Sequence, residues 1–172
     1  MGLAPPAARD TRRDGRRVSA DVPGRELLAV ALQAANAAAG VLVSHARHAA
    51  PTGVATKSTP TDLVSAADLA AEAAIREVLR RERPDDAILG EEGEDQAGTS
   101  GLRWIVDPLD GTVNYLFGID QWCVSIACEG RVGVILDPVR GECFQVVDGG
   151  TPTVDDAPIG RASCRERVYV LV

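Results

Sequence analysis

A chain of 172 residues and 18.0 kDa has the length of one ordinary domain with an extension, which excludes a large multidomain polypeptide. Its composition is that of a globular protein with a lean core, because 45% of the residues are hydrophobic but only 3% are aromatic. The formal net charge of −7 excludes a long-range attraction for nucleic acid, so we expect a small or cationic partner and no nucleic-acid partner.

The first residues carry no periodic pattern, and a long helix follows them. Residues 1–23 are rich in Ala, Pro, Asp and Arg, which predicts a disordered leader. From Gly24 to about His48, apolar residues recur at helical spacing among strong helix formers, which predicts a well-buried helix. No run of about 18 apolar residues occurs for a membrane span, and residues 1–10 lack the apolar block of a signal peptide. We therefore expect no membrane partner.

A second helix and then a series of strands follow. The breaker-rich loop from Pro51 to Pro60 precedes a second predicted helix over about 61–83, which Pro84 ends. Two helices followed by strands with short turns predict an α+β fold with a mostly antiparallel sheet. The predicted strands lie at 87–90, 102–106, 122–128, 132–136 and 143–147.

The pattern of cysteines indicates the redox environment of the cellular compartment. The four cysteines, at positions 123, 128, 143 and 164, form no Cys-x-x-Cys pair and no zinc-type spacing with histidine. Such usage is typical of a reducing environment, so we expect a cytoplasmic location.

Acidic residues concentrate between residues 62 and 120, where 14 Asp and Glu oppose 5 Arg for a local charge of −9. Glu91 and Glu92 follow the first predicted strand, and Asp107 and Asp110 follow the second. If these strands are neighbours in one sheet, their ends bring four carboxylates together, which cannot all stay ionised without a cation. Hard oxygen donors at short spacing suit Mg²⁺, so we predict a divalent metal site at these strand ends.

The segment that carries two of these acids also has the sequence of a turn. Residues 107–111, D-P-L-D-G, match the residue preferences of a β-turn. Residues 137–141 repeat the D-P-x-x-G frame but carry Arg140 where the first copy has Asp110. We predict that the second copy is a turn alone and that the first copy also binds metal.

The other acids admit plain structural roles as well. Asp62, which follows Thr-Pro-Thr at a predicted helix start, can be an N-cap or a first-turn residue. Glu91 and Glu92 can belong to a solvated acidic loop.

The residues after Asp110 are suited to bind phosphate. Residues 111–115 predict a short helical turn whose first amides are free, and such amides bind phosphate oxygens. Gly111 permits close approach of the backbone. Carboxylate-held metal ions beside such amides indicate metal-assisted hydrolysis of a phosphoester.

Three segments, in this order, carry a resemblance to a known family. They are residues 57–65 (KSTPTDLVS), 90–93 (GEEG) and 104–115 (WIVDPLDGTVNY). Their succession resembles the inositol monophosphatase family of Mg²⁺-dependent, lithium-sensitive phosphatases, over roughly residues 25–159. The resemblance implies that family's N-terminal lobe, with two long helices packed on a mostly antiparallel sheet, and it places Lys57 near the metal site.

The resemblance also implies a set of metal ligands. Carried over by position, Glu91, Asp107 and the backbone carbonyl of Leu109 would hold the first Mg²⁺. Asp107 and Asp110 would be shared with a second ion, and Glu92 would be a supporting acid.

Roles in catalysis and substrate binding follow from the same resemblance. Thr112, hydrogen-bonded to Asp62, would help to orient and deprotonate a metal-bound water for in-line attack, and no phosphoenzyme would form. Glu91 would belong to the catalytic set. The amides of Gly111 and Thr112 would hold the phosphate, with Asp110 and Glu91 also at the substrate.

The chain departs from the family in its C-terminal part. The family has a second α/β lobe whose Trp-Asp-x-Ala-Ala motif completes the second metal site, and neither Trp104 nor Trp122 lies in such a motif. Residues 160–172 resemble nothing in the family. We therefore expect a phosphatase lobe over 24–159 with an anomalous tail, a missing second lobe, a C-terminally truncated gene product and much reduced activity.

The leading function is that of a phosphoric monoester hydrolase that converts inositol 1-phosphate to inositol and phosphate. Histidinol phosphate, fructose 1,6-bisphosphate and 3′-phosphoadenosine 5′-phosphate are alternative substrates, because related families share the metal motif. A non-catalytic remnant that binds metal or a protein of the RNA machinery is an alternative of a different class. Family members are commonly dimers, so a homodimer is expected of the complete protein.

Overall fold

The structure of the chain, a computed structural model, describes residues 22–49, 60–91 and 95–159. Within these ranges, the side chains of residues 47–49 and 60–65 are not described. The predicted leader up to residue 21, Lys57, Glu92 and the predicted tail over 160–172 therefore lie outside the described residues.

Two long helices open the described chain, as the sequence predicts. α1 spans Gly24–Ala49, and α2 spans Pro60–Glu82 and stops just before Pro84. The two helices pack against each other, and both also contact the sheet. Six residues on the inner face of α1 are fully buried, and four of them are alanines, which allow close packing: Leu27, Ala31, Ala34, Ala35, Ala38 and Leu42.

The length and apolar composition of α1 bear on the expectation about a membrane span. Its segment Gly24–Ala46 is long and apolar enough to cross a membrane on those two criteria alone. The segment contains no uninterrupted apolar run of that length, because polar residues are scattered through it. Its many alanines nevertheless keep the average hydropathy of the segment high. The core helix of a folded domain passes the same test. The inner face of α1 packs on α2, β3 (Cys123–Cys128) and β4 (Val132–Asp137).

Within the described residues, seven strands form one sheet in which each strand pairs with the next along the chain. Besides β3 and β4, the strands are β1 (Ala87–Leu89), β2 (Arg103–Asp110), β5 (Glu142–Val147), β6 (Thr153–Val154) and β7 (Ala157–Pro158). β1 is parallel to β2, and the other neighbouring pairs are antiparallel, which confirms the predicted α+β fold. Two-residue strands carry no periodic pattern, so β6 and β7 were not predicted.

β2 runs further than the sequence predicts, and it carries an irregularity at its end. The strand continues through Asp107 to Asp110, and its register with β3 shifts between these two residues. The short helix α3 (Thr112–Leu116) follows at once. Bulges in strands re-aim side chains. This bulge places the D-P-L-D-G segment at the end of the sheet and not in a simple turn.

Asp86 is a buried carboxylate, 1% exposed, between the end of α2 and the sheet. It accepts hydrogen bonds from Arg83 (Nε, 2.8 Å; Nη2, 3.1 Å) and from Trp104 Nε1 (2.9 Å). Burial by itself raises the pKa of this carboxyl, but hydrogen bonds from Arg83, Ser100 and Trp104 outweigh it and hold the pKa of Asp86 below its usual value. Asp86 therefore ties α2 to β2, the strand that carries the predicted metal ligands.

Candidate metal centre

The parallel pairing of β1 with β2 brings Glu91 and Asp107 together. Leu89 pairs with Ile105, so the chain two residues further on each strand reaches the same edge of the sheet. Burial, the charges of Glu91 and Asp110, and a hydrogen bond with Glu91 raise the pKa of Asp107 to about 6. These shifts show that three of the predicted carboxylates are close enough to interact.

Asp110 lies at the exposed side of the same group. The thiol of Cys123 donates a hydrogen bond to Asp110 Oδ2, with an Sγ to oxygen distance of 3.7 Å. Burial and then the charge of Asp110 raise the pKa of Cys123 to about 12, and Asp107 and Asp137 contribute in the same direction. The thiol thus stays protonated, because burial and the nearby carboxylates all disfavour its charged form.

The second D-P-x-x-G segment is a closed turn, in agreement with its prediction. Asp137 Oδ1 accepts hydrogen bonds from the amides of Val139 and Arg140, both at 2.9 Å. Its Oδ2 pairs with Arg140 Nη1 at 2.8 Å. Asp107, by contrast, accepts the Leu109 amide at 3.1 Å and faces other carboxylates. The first segment carries Asp110 where the second carries Arg140. The second segment is therefore a turn neutralised by its own arginine, and the first is an acidic site.

The residues that follow Asp110 form a tight corner. The hydroxyl of Thr112 donates its proton to the carbonyl of Leu109 at 3.0 Å. Gly111 has φ of +96°, in the left-handed region, and is the N-cap of α3. The predicted hydrogen bond from Thr112 to Asp62 stays a prediction, since the side chain of Asp62 lies outside the description.

Gly111→Ala is expected to destabilise the fold by about 2–5 kcal/mol, because it combines a positive φ with overpacking. A Cβ at Gly111 would lie 2.9 Å from the carbonyl oxygen of Gln121 and 3.2 Å from Trp122 Cα. Gly118 also has a positive φ, +67°, but a Cβ there would meet nothing within 4 Å. Urea unfolding of both alanine variants separates the two effects. Equal losses for the two variants would show that close packing at Gly111 is unimportant.

Among the described ranges, no three or more Asp, Glu, His or Cys side chains are so arranged that they could hold a metal ion as they stand. The chemistry of the donors nevertheless fits a hard divalent cation. Glu91, Asp107, Asp110 and the carbonyl of Leu109 supply oxygen atoms only, the kind that Mg²⁺ prefers. Burial and then the charges of Glu91 and Asp110 raise the pKa of Asp107, and a bound cation would favour the ionised carboxylate against both effects.

Two further residues of interest were not among those predicted from the sequence. Cys123 contacts Asp110, as described above. Asp68 is a buried carboxylate, 8% exposed, on α2, which packs against α3. Its signal in the sequence is a charged residue between the inner apolar positions Ala67 and Ala71. Asp62, an aspartate at the start of the same helix, is the more conspicuous candidate in the sequence.

The pKa of Asp107 predicts how pH affects the stability of the metal-free chain. A carboxyl whose pKa is raised by folding, here to about 6, stabilises the folded state below its unfolded pKa, and this contribution is lost as pH rises through 6. In EDTA, Asp107→Asn should therefore gain a few degrees in Tm relative to the unmodified chain between pH 5 and pH 8. A Tm difference that does not change with pH would contradict the raised pKa.

Comparisons with known proteins identify the family of the chain. The sequence model of the inositol monophosphatase family matches residues 24–167. The inositol-1-monophosphatase of Rhizobium meliloti is 47% identical over 102 residues, which cover 56% of this chain and 38% of the relative. A protein named Nus factor SuhB from Pasteurella multocida is 38% identical over 135 residues, or 76% of this chain and 50% of the relative.

Solved structures show the same likeness. The extragenic suppressor protein suhB from Bartonella henselae superposes with a TM-score of 0.66 at 36% identity, over 77% of this chain and 52% of that chain. The inositol monophosphatase from Anabaena gives a TM-score of 0.65 at 34% identity, over 78% and 49%. The chain thus spans about half the length, or less, of the relatives that it matches.

Proposed function

Because the chain belongs to the inositol monophosphatase family, we propose that its protein hydrolyses a small phosphomonoester with the help of Mg²⁺. The observation that carries the proposal is the group formed by Glu91, Asp107 and Asp110, in which burial and then the charges of the other two acids raise the pKa of Asp107 to about 6. Three carboxylates at one end of a sheet are costly unless a cation or a proton neutralises them.

We propose the following ligands for the metal. Glu91, Asp107 and the carbonyl of Leu109 hold one Mg²⁺, and Asp107 with Asp110 contributes to a second. Bound Mg²⁺ would supply a water of lowered pKa and would neutralise charge on the phosphoryl group. Glu92 is proposed as a supporting acid.

The substrate's phosphate is proposed to lie at the corner after β2. There the amides of Gly111 and Thr112 would donate to phosphate oxygens, and Glu91 and Asp110 would be close to the substrate. In this structure the single proton of the Thr112 hydroxyl goes to Leu109. We propose that it turns to a carboxylate on α2 when the metal neutralises the corner.

Two carboxylates on α2 compete for that role. Asp62 is the residue implied by the family resemblance, and Asp68 is buried on the helix that packs against α3. Comparison of Asp62→Asn with Asp68→Asn in the same assay would assign the partner of Thr112.

The proposed substrate is inositol 1-phosphate. The purified chain should release phosphate from it only when Mg²⁺ is present, at a rate that lithium lowers, and more slowly than a relative of full length. Parallel assays with histidinol phosphate, fructose 1,6-bisphosphate and 3′-phosphoadenosine 5′-phosphate test the alternative specificities. Phosphate release that continues in EDTA would refute the metal-dependent mechanism.

A second candidate function is protein binding without catalysis. It is favoured by the matched relatives that carry the name Nus factor SuhB. Binding of Mg²⁺ by folded protein, without phosphate release from any of the four substrates, would support it. A cytoplasmic location and a homodimeric complete protein are further proposals, which cell fractionation and sedimentation would test.

A further inference from the structure

A buried ion pair on α2 lies directly beneath the strand end that carries Glu91. Glu72 and Arg76 are 2% and 6% exposed, and their Oε1 and Nε atoms are 2.6 Å apart. The terminal nitrogens Nη1 and Nη2 of Arg76 have no hydrogen-bond partner within the described part of the chain. Burying such a pair often costs more free energy than the attraction returns. Fold stability alone therefore does not explain its presence.

The pair is in close contact with the backbone at Gly90. A Cβ built on Gly90 would collide with Arg76 Nη2 and with Glu72 Oε1, and would lie 3.0 Å from Glu72 Cδ. Gly90 is the residue between β1 and Glu91. The absence of a side chain thus lets the backbone rest on the ion pair, one residue before a proposed metal ligand.

The contact between the ion pair and Gly90 affects the position of the backbone and not the charge of the acidic group. Burial and the charges of Glu91 and Asp110 raise the pKa of Asp107, and the amide of Leu109 lowers it; Arg76 is not among these causes. The guanidinium is held by its bond to Glu72, whereas the chain at Gly90 has no side chain of its own to anchor it. The ion pair therefore fixes where the backbone leaves β1.

We propose that Glu72 and Arg76 are positioning residues that set the carboxylate of Glu91 against Asp107 for metal binding. This inference rests on the proposed metal site. Groups that orient metal ligands from behind commonly alter metal affinity by about 10- to 100-fold when they are changed. The pair thus acts on the metal through Gly90 and Glu91, without contact with the metal itself.

The test is Mn²⁺ binding followed by electron paramagnetic resonance. The double variant Glu72→Met/Arg76→Met removes the ion pair without leaving a buried charge, so it should remain folded. Methionine is flexible and makes no directional bond to hold the backbone. We expect its Mn²⁺ affinity to fall at least about tenfold while its Tm stays near that of the unmodified chain. The control Arg81→Gln/Glu82→Gln removes an exposed ion pair from the same helix and should leave affinity unchanged.

A second variant guards against misfolding of the first. Arg76→Lys keeps the buried charge but lacks the Nη2 atom on which Gly90 rests, so it should lose part of the Mn²⁺ affinity. Unchanged affinity in a folded double variant, or in Arg76→Lys, would overturn the positioning role. If the unmodified chain itself binds no Mn²⁺, the proposed metal site fails and this inference falls with it.

Discussion

Asp107→Asn is expected to weaken Mn²⁺ binding by at least about 100-fold and to abolish Mg²⁺-dependent phosphate release, because it removes the carboxylate that both proposed ions share. Burial, followed by the charges of Glu91 and Asp110, raises the pKa of Asp107 to about 6. Isothermal titration with Mn²⁺ measures the first effect, and a phosphate-release assay measures the second.

The chain supplies a matched control for this substitution. Asp137 occupies the same position in the second D-P-x-x-G segment, where its Oδ1 accepts the amides of Val139 and Arg140. Asparagine keeps an Oδ1 acceptor, so Asp137→Asn should retain the turn and the metal affinity. Equal losses of Mn²⁺ affinity in the two variants would show that the effect comes from general destabilisation and not from a metal ligand.

Asp86→Ala is expected to destabilise the fold by about 3–5 kcal/mol, which is the usual cost of breaking a buried ion pair by removing one partner. The variant leaves the guanidinium of Arg83 and the indole N–H of Trp104 without their acceptor. Trp104 is fully buried, so its N–H cannot turn to water. Chemical denaturation measured by tryptophan fluorescence gives the free energy of unfolding.

An exposed ion pair provides the comparison for Asp86. Arg103 on β2 forms an ion pair with Glu129, which directly follows β3, and both side chains are about half exposed, 49% and 55%. Glu129→Ala should leave the midpoint of denaturation nearly unchanged, because water replaces the lost contact. A loss for Asp86→Ala no larger than that for Glu129→Ala would show that Asp86 does not hold α2 to β2.

The helices and the sheet follow closely from local sequence signals. Apolar residues at helical spacing predict α1, and Pro84 marks the end of α2 within two residues. Short apolar runs between turn residues predict the five longer strands. The bulge at the end of β2 was not predictable, since it depends on pairing with β3 and on the corner at Gly111.

The acidic group was predictable, and its supporting contacts were not. Glu91 and Asp107 both follow apolar strands, so adjacent strand ends were enough to predict their proximity. The bond from Trp104 to Asp86 joins residues that no local pattern relates. Likewise, the role of Gly90 depends on side chains that α2 contributes from an earlier part of the chain. Such contacts arise only when the helices dock on the sheet.

The most direct test of the central claim is calorimetric titration of the chain with Mn²⁺ at pH 6 and pH 8, in buffers of different ionisation enthalpy. Asp107 has a pKa of about 6, so binding at pH 6 should release about half a proton, and binding at pH 8 should release almost none. Saturable binding that releases about half a proton at pH 6 and almost none at pH 8 would support a carboxylate metal site centred on Asp107. Absence of binding, or equal proton release at both pH values, would contradict it.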